Sequence, residues 1–208
     1  MISQNSEIHR IQHAFRTTMD ALAHPGRINV LPLAGGDSTP TGLDGALDTL
    51  VRMFVDQAVT FAYLGDAVRE RAIASETRSR AAGAAQAAFV VVPCGSTDPT
   101  VAYAVEKATP GTLISPDRGA TVLIGCDGLS SDPCDGMFGF AVSGPGVAGE
   151  ACFYASTDVW QRVRETRGDE YPCGIEIMLV DGAGRIVAIP RSSQVVAFGA
   201  CVNDEEVR

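Results

Sequence analysis

The chain has 208 residues, 46% of them hydrophobic and 20% charged, enough for one large globular domain with a substantial core. A net charge of −9 at pH 7 repels phosphate backbones and argues against nucleic acid as a partner. The opening MISQNSEIHRIQH lacks the apolar core of a signal peptide, and the longest small-apolar run (81–92) carries Gln86 and stops at Pro93, too short to span a bilayer. A cytoplasmic protein with no membrane contact is expected.

In chain order, Ile8, Ile11, Phe15, Met19 and Leu22 recur at helical spacing behind Ser6, a good N-cap, and His24-Pro25-Gly26 stops the helix they predict. A second helix is expected from about Asp44, with Leu47, Leu50, Val51, Phe54 and Val55 on one face. The stretch 69–80, where Arg69, Arg71, Arg78 and Arg80 alternate with Glu70 and Glu76, reads as a solvated mixed-charge helix face. TFAYL (60–64) and AAFVVV (87–92) predict strands, the second buried on both faces. Asp98 is placed to cap a helix that Pro110-Gly111 ends, and ATVLIG (120–125) and FGFAVS (138–143) are further strands. STDVWQRVRETRG (156–168) is amphipathic, with Gly168 as its stop, and GIEIMLV-DGAG-RIVAIP (174–190) predicts a hairpin. No repeat or linker divides the chain. The expected fold is one α/β domain over residues 1–208, a three-layer α/β/α arrangement around a single mixed sheet.

The chemistry-bearing motifs are sparse. Gly144-Pro145-Gly146-Val147-Ala148-Gly149 spells G-x-G-x-x-G, but EACFYAS follows, a strand pattern where a dinucleotide loop opens a helix, and Pro145 removes an amide donor. Gly144, Pro145 and Gly146 are therefore expected to form a structural turn. His9 and His13 have zinc-pair spacing, yet Arg10 stands where the H-E-x-x-H glutamate belongs, so a solvated face is expected and no metal. Six scattered cysteines without C-x-x-C read as small buried hydrophobes. Lys107 is the only lysine and sits at a helix end, so no Schiff-base site for pyridoxal phosphate is expected. Arg191 follows Pro190 at a strand end beside Ser192 and Ser193. That trio suits an oxyanion or an acidic partner surface, or is simply a polar hairpin end. No catalytic residue can be named.

FRTTMDALAHPG (15–26), GTLISPDRGATVLI (111–124), VSGPGV (142–147) and YPCGIEIMLVDGAGRIVAIPRSS (171–193) resemble, in order and spacing, the H-subunit family of the bacterial carbon–phosphorus lyase system. The resemblance spans about 11–196. Ser192-Ser193 stands where the family shows threonines, and the acidic tail 203–208 matches nothing. The resemblance implies a fold like that of pyridoxal-phosphate transferases without the cofactor site, and a homodimer in isolation. It implies partners of the G, I, J and L types. It also implies a part in converting ATP and an alkylphosphonate to ribose 1-phosphonate 5-triphosphate with release of adenine. ATP would be the substrate of the complex, with no cofactor bound by this chain. Two roles stay open: a docking and structural subunit, or a stand-alone α/β enzyme or nucleotide- or phosphonate-binding protein with an anion site near Arg191.

Overall fold

The computed structural model describes residues 2–33 and 39–200. Cys201 and the acidic tail 203–208 lie outside the described residues. The chain runs α1 (Ile2–Ala23), β1 (Asn29–Val30), α2 (Gly45–Phe54), β2 (Thr60–Tyr63), α3 (Ala67–Thr77), β3 (Arg80–Ala81), β4 (Phe89–Val92) and α4 (Asp98–Lys107). After a 3₁₀ turn at Pro116–Arg118 come β5 (Thr121–Cys126), β6 (Leu129–Ser130), β7 (Phe138–Ser143), β8 (Ala151–Ala155), α5 (Val159–Thr166), β9 (Glu176–Asp181), β10 (Arg185–Ile189) and β11 (Gln194–Ala200).

Seven strands make a mixed sheet in the order β1-β10-β9-β5-β4-β2-β3, in which β10 alone runs against its neighbours. Period-two alternation divides its side chains between two cores. Val90, Val92, Val122 and Ile124 face α4, α5 and a second sheet, whereas Val91 and Leu123 face α1, α2 and α3. The helices ride where their sequences direct. Asp44 caps α2 through Leu47 N at 2.9 Å, and Leu47, Leu50 and Val51 are fully buried.

The expectation of a single sheet is corrected. β7, β8, β6 and β11 form a separate four-stranded antiparallel sheet in the order β11-β7-β8-β6. Alternation marks a segment as a strand with a buried face, but it does not say which strand it pairs with. Phe140 and Phe153 face each other across β7 and β8, and both rings pack on Trp160 of α5, which locks the small sheet to that helix.

The first helix is corrected in two ways. It starts at Ile2, so Ser6 lies inside it rather than at its cap. Three of its large apolar residues also face outward: Ile8 is 55% exposed, Phe15 47% and Met19 45%, while Leu22 packs against the core. Ala14, Thr18 and Ala21 are fully buried instead, and these small side chains let α1 lie close against β10 and α2. A smaller shift affects α4, where Thr97 occupies the cap and Asp98 is the first helical residue. The cysteine reading fails at three positions, because Cys94, Cys134 and Cys152 are exposed at strand ends and loops; Cys173 is half-buried and Cys126 is buried.

The 69–80 stretch is largely α3, and two of its four arginines are spent locally. Arg69 reaches Gly42 O at 2.8 Å and Asp66 at 2.6 Å, and Arg71 reaches Ala67 O at 3.0 Å. Arg52 of α2 meets Glu7, Glu76 and Asp48 at 2.6, 3.5 and 3.7 Å, joining the three helices of that layer.

Candidate functional site

Three places merit comparison. The first is the crevice at the carboxyl ends of β2 and β4. These strands are neighbours, but α3 leaves β2 for one face of the sheet and α4 leaves β4 for the other, the topology that opens ligand sites in α/β sheets. A cavity of about 320 Å³ lies there, lined by Asp44, Tyr63, Asp66, Arg69 and Cys94 among others. Its charged groups are already used. Asp66 caps α3 through Val68 N and Arg69 N at 3.0 and 2.9 Å, and those bonds, led by the Arg69 amide, hold its carboxyl below the usual range. With Asp44 capping α2 as well, the positive ends of α2 and α3 are filled by the chain's own carboxylates, which disfavours a phosphate beside them.

Cys94 at this crevice is not an activated nucleophile. Partial shielding from water, and then the neighbouring Asp127, push its thiol up to about 11, and full burial pushes Cys126 up to about 12. This has a consequence for stability. In the unfolded chain Cys126 ionises near its ordinary value of 9.0, whereas the folded chain keeps it protonated to about 12. The stabilisation is fully present below pH 9 and is lost as the pH rises from there toward 12. The melting temperature is expected to fall through that window, and Cys126→Val is expected to flatten the fall. An equal slope in the variant would refute the assignment.

The second place is the Gly144–Gly149 loop. It joins β7 to β8, so a strand and not a helix follows it. The turn closes through Val147 N donating to Gly144 O at 3.1 Å. A Cβ at Gly146 would run into the carbonyl oxygen of Ala23, so only glycine lets this loop rest on the end of α1. Between this loop and residues 24–28 opens a cavity of about 480 Å³. His24 and Arg27 on its wall both turn back to Asp20.

The third place is the Pro190–Ser193 turn. Arg191 is held, but on the inside of the molecule. Its Nε donates to Glu176 Oε1 at 2.5 Å, its backbone N to Glu176 Oε2 at 2.8 Å, and its Nη1 to the carbonyl of Pro116. Gly119 and Gly174 pack against one another beside it, each too close to the other or to Arg191 to admit a side chain. Arg191 thus ties the 3₁₀ turn to the starts of β5 and β9. Ser193 is buried with its hydroxyl unpartnered among the described residues. Ser192 packs its backbone carbonyl against Gly144.

The turn's carbonyls serve a residue that the sequence did not single out. Arg164 Nη2 donates to Ser193 O at 2.8 Å, Pro190 O at 3.3 Å and Arg191 O at 3.4 Å. Arg164 and Arg191 share a cavity of about 220 Å³ with Glu165, Asp169, Tyr171 and Cys173. A signal for Arg164 existed. It stands four residues after Trp160, so the helix carries it to the core side.

The remaining sequence candidates stay apart. His9 and His13 are exposed on α1, and Lys107 is exposed and paired with its neighbour Glu106 at 2.6 Å. Among the described residues no cluster of three or more His, Cys, Asp or Glu is arranged to hold a metal ion, and no helix is long and apolar enough to cross a membrane.

The profile of one family, described as bacterial phosphonate metabolism protein (PhnH), matches residues 3–196. The chain belongs to this family. A comparison with curated proteins gives no match. The PhnH match begins earlier than the resemblance seen in the sequence and takes in nearly all of α1, including its outward apolar face. It also takes in the Arg164 helix and the Pro190–Ser193 turn, and it ends within β11. The protein's role lies in bacterial phosphonate metabolism.

Proposed function

We propose that this chain is a docking and structural subunit of the carbon–phosphorus lyase system. It works in the cytoplasm with partners of the G, I, J and L types in the ATP-dependent conversion of an alkylphosphonate to ribose 1-phosphonate 5-triphosphate with release of adenine. The PhnH match over residues 3–196 carries this reading. The site geometry supports docking over independent chemistry. Arg191 is neutralised by Glu176, the Cys94 thiol is held protonated, and His9 and His13 are exposed on α1. The likeness to pyridoxal-phosphate transferases without their cofactor site belongs to the same reading. A mixed sheet between helical layers supports it, as does the surface position of Lys107.

Surfaces for partners are present. Ile8, Phe15 and Met19 form an apolar stripe that is exposed among the described residues, and a second copy of the chain across a two-fold axis is the occupant proposed for it. Phe15→Glu is expected to convert the dimer to monomer in sedimentation equilibrium while leaving the melt unchanged. A wild-type chain that is monomeric at micromolar concentration would remove the dimer from the account. For the function itself, deleting the gene is expected to abolish growth on methylphosphonate as sole phosphorus source and to spare growth on phosphate. Undiminished growth on the phosphonate would contradict the proposal.

A further inference from the structure

We propose that the cavity between α5, the 168–175 segment and the Pro190–Ser193 turn is a binding site for a small phosphorus oxyanion head group, with Arg164 as its counter-charge. The inference concerns the isolated chain and does not depend on docking to any partner.

The cations around the cavity are matched with one exception. Glu176 answers Arg191 at 2.5 Å, and Asp169 answers Arg167 at 2.6 Å. Glu165, exposed on the same wall, accepts from Gln161 Nε2 at 3.3 Å and meets no cation among the described residues. Arg164 forms no ion pair with a described carboxylate; only carbonyl oxygens meet it, all on Nη2. Its Nε and Nη1 hydrogens have no acceptor among the described residues. Burial pushes its guanidinium below the ordinary arginine range, and the more distant charges of Glu176 and Asp169 oppose that shift without cancelling it. A partly buried cation with no anion in contact is costly, and an oxyanion accepting its spare N–H groups removes that cost.

The three carbonyls also fix the guanidinium in one orientation before any ligand arrives, which lowers the ordering cost of binding. Size sets the ligand class. At about 220 Å³ the cavity is smaller than pockets that enclose a drug-sized molecule, roughly 300–1,000 Å³, so it fits a head group and not a whole nucleotide. A dianionic phosphate or phosphonate gains more from the cation than a monoanionic carboxylate does. The larger crevice at the carboxyl ends of β2 and β4 is less suited, since Asp44 and Asp66 already cap α2 and α3 beside it.

The test is titration calorimetry of the full chain with inorganic phosphate, methylphosphonate, acetate and chloride at constant ionic strength. Phosphate and methylphosphonate are expected to bind saturably, acetate more weakly, and chloride not at all. Arg164→Gln is expected to weaken phosphate binding about tenfold or more, the loss for removing a charged hydrogen bond. Since Arg164 also supports the turn, a second variant guards against misfolding. Cys173→Glu leaves Arg164 in place but sets a carboxylate in the cavity, and it is expected to abolish phosphate binding without lowering the melt. Phosphate affinity unchanged in Cys173→Glu, or in a folded Arg164→Gln, would overturn the proposal, as would the absence of saturable binding to the wild type.

Discussion

Asp181→Ala is expected to lower the melting temperature by about 8–16 °C, the shift for a loss of about 4 kcal/mol in a chain of this size. The Asp181 carboxylate is 2% exposed and meets four donors. Oδ1 accepts from Ala183 N and Arg185 N, each at 3.0 Å; Oδ2 accepts from Leu129 N at 3.1 Å and Arg185 Nε at 2.6 Å. One side chain therefore closes the β9–β10 turn and fastens β6 of the small sheet to the large one. Alanine leaves three backbone amides and a guanidinium without their acceptor, and the penalty for stranded buried donors exceeds the net value of the bonds themselves. Asp181→Asn keeps part of the acceptor set and is expected to lose about half as much. Scanning calorimetry distinguishes these outcomes. A melt within about 3 °C of wild type for the alanine variant would show that the network is not structural.

Arg167→Ala is expected to cost about 3 kcal/mol, or roughly 6–12 °C. The side chain is 7% exposed and is clamped by Asp169 at 2.6 Å. Its remaining nitrogens reach the carbonyls of Val105, Glu106 and Ala108, the last turn of α4. These carbonyls have no amide partner within their own helix, and they sit at the negative end of its dipole. A guanidinium at the C-cap of α5 answers both needs and docks the two helices. Arg167→Lys retains the charge but replaces a planar fork with a single ammonium, so it is expected to recover about half the loss. Full recovery by lysine would mean that charge alone matters there and that the fork geometry does not.

The elements were legible in the sequence wherever a local rule decides them. Asp44 caps its helix, Gly168 takes the positive φ of a helix stop, and the Gly182–Gly184 turn makes a hairpin of β9 and β10. What escaped depends on partners far along the chain. The apolar stripe of α1 is correctly spaced, yet periodicity cannot say whether a stripe meets this chain's core or another surface, and here Ala14 and Ala21 took the core. The second sheet was hidden for the same reason, since Phe140 finds Phe153 and Trp160 only in space.

At the candidate site, the strand end and Pro190 drew attention to Arg191. They could not reveal that Glu176, fifteen positions earlier, holds it from inside, or that the turn's carbonyls would orient Arg164 instead. The family was legible because its motifs include turns: Gly26, Gly144 and Gly146 have positive φ and close neighbours, where few residue types fit.

The most direct test of the proposed role is reconstitution of the purified chain with G, I and L partner subunits, followed by measurement of adenine released from ATP and methylphosphonate. The account predicts that this chain co-elutes with the partners, that adenine release requires it, and that alone it releases none. Release of adenine by the isolated chain, or full activity of the partners without it, would contradict a docking subunit.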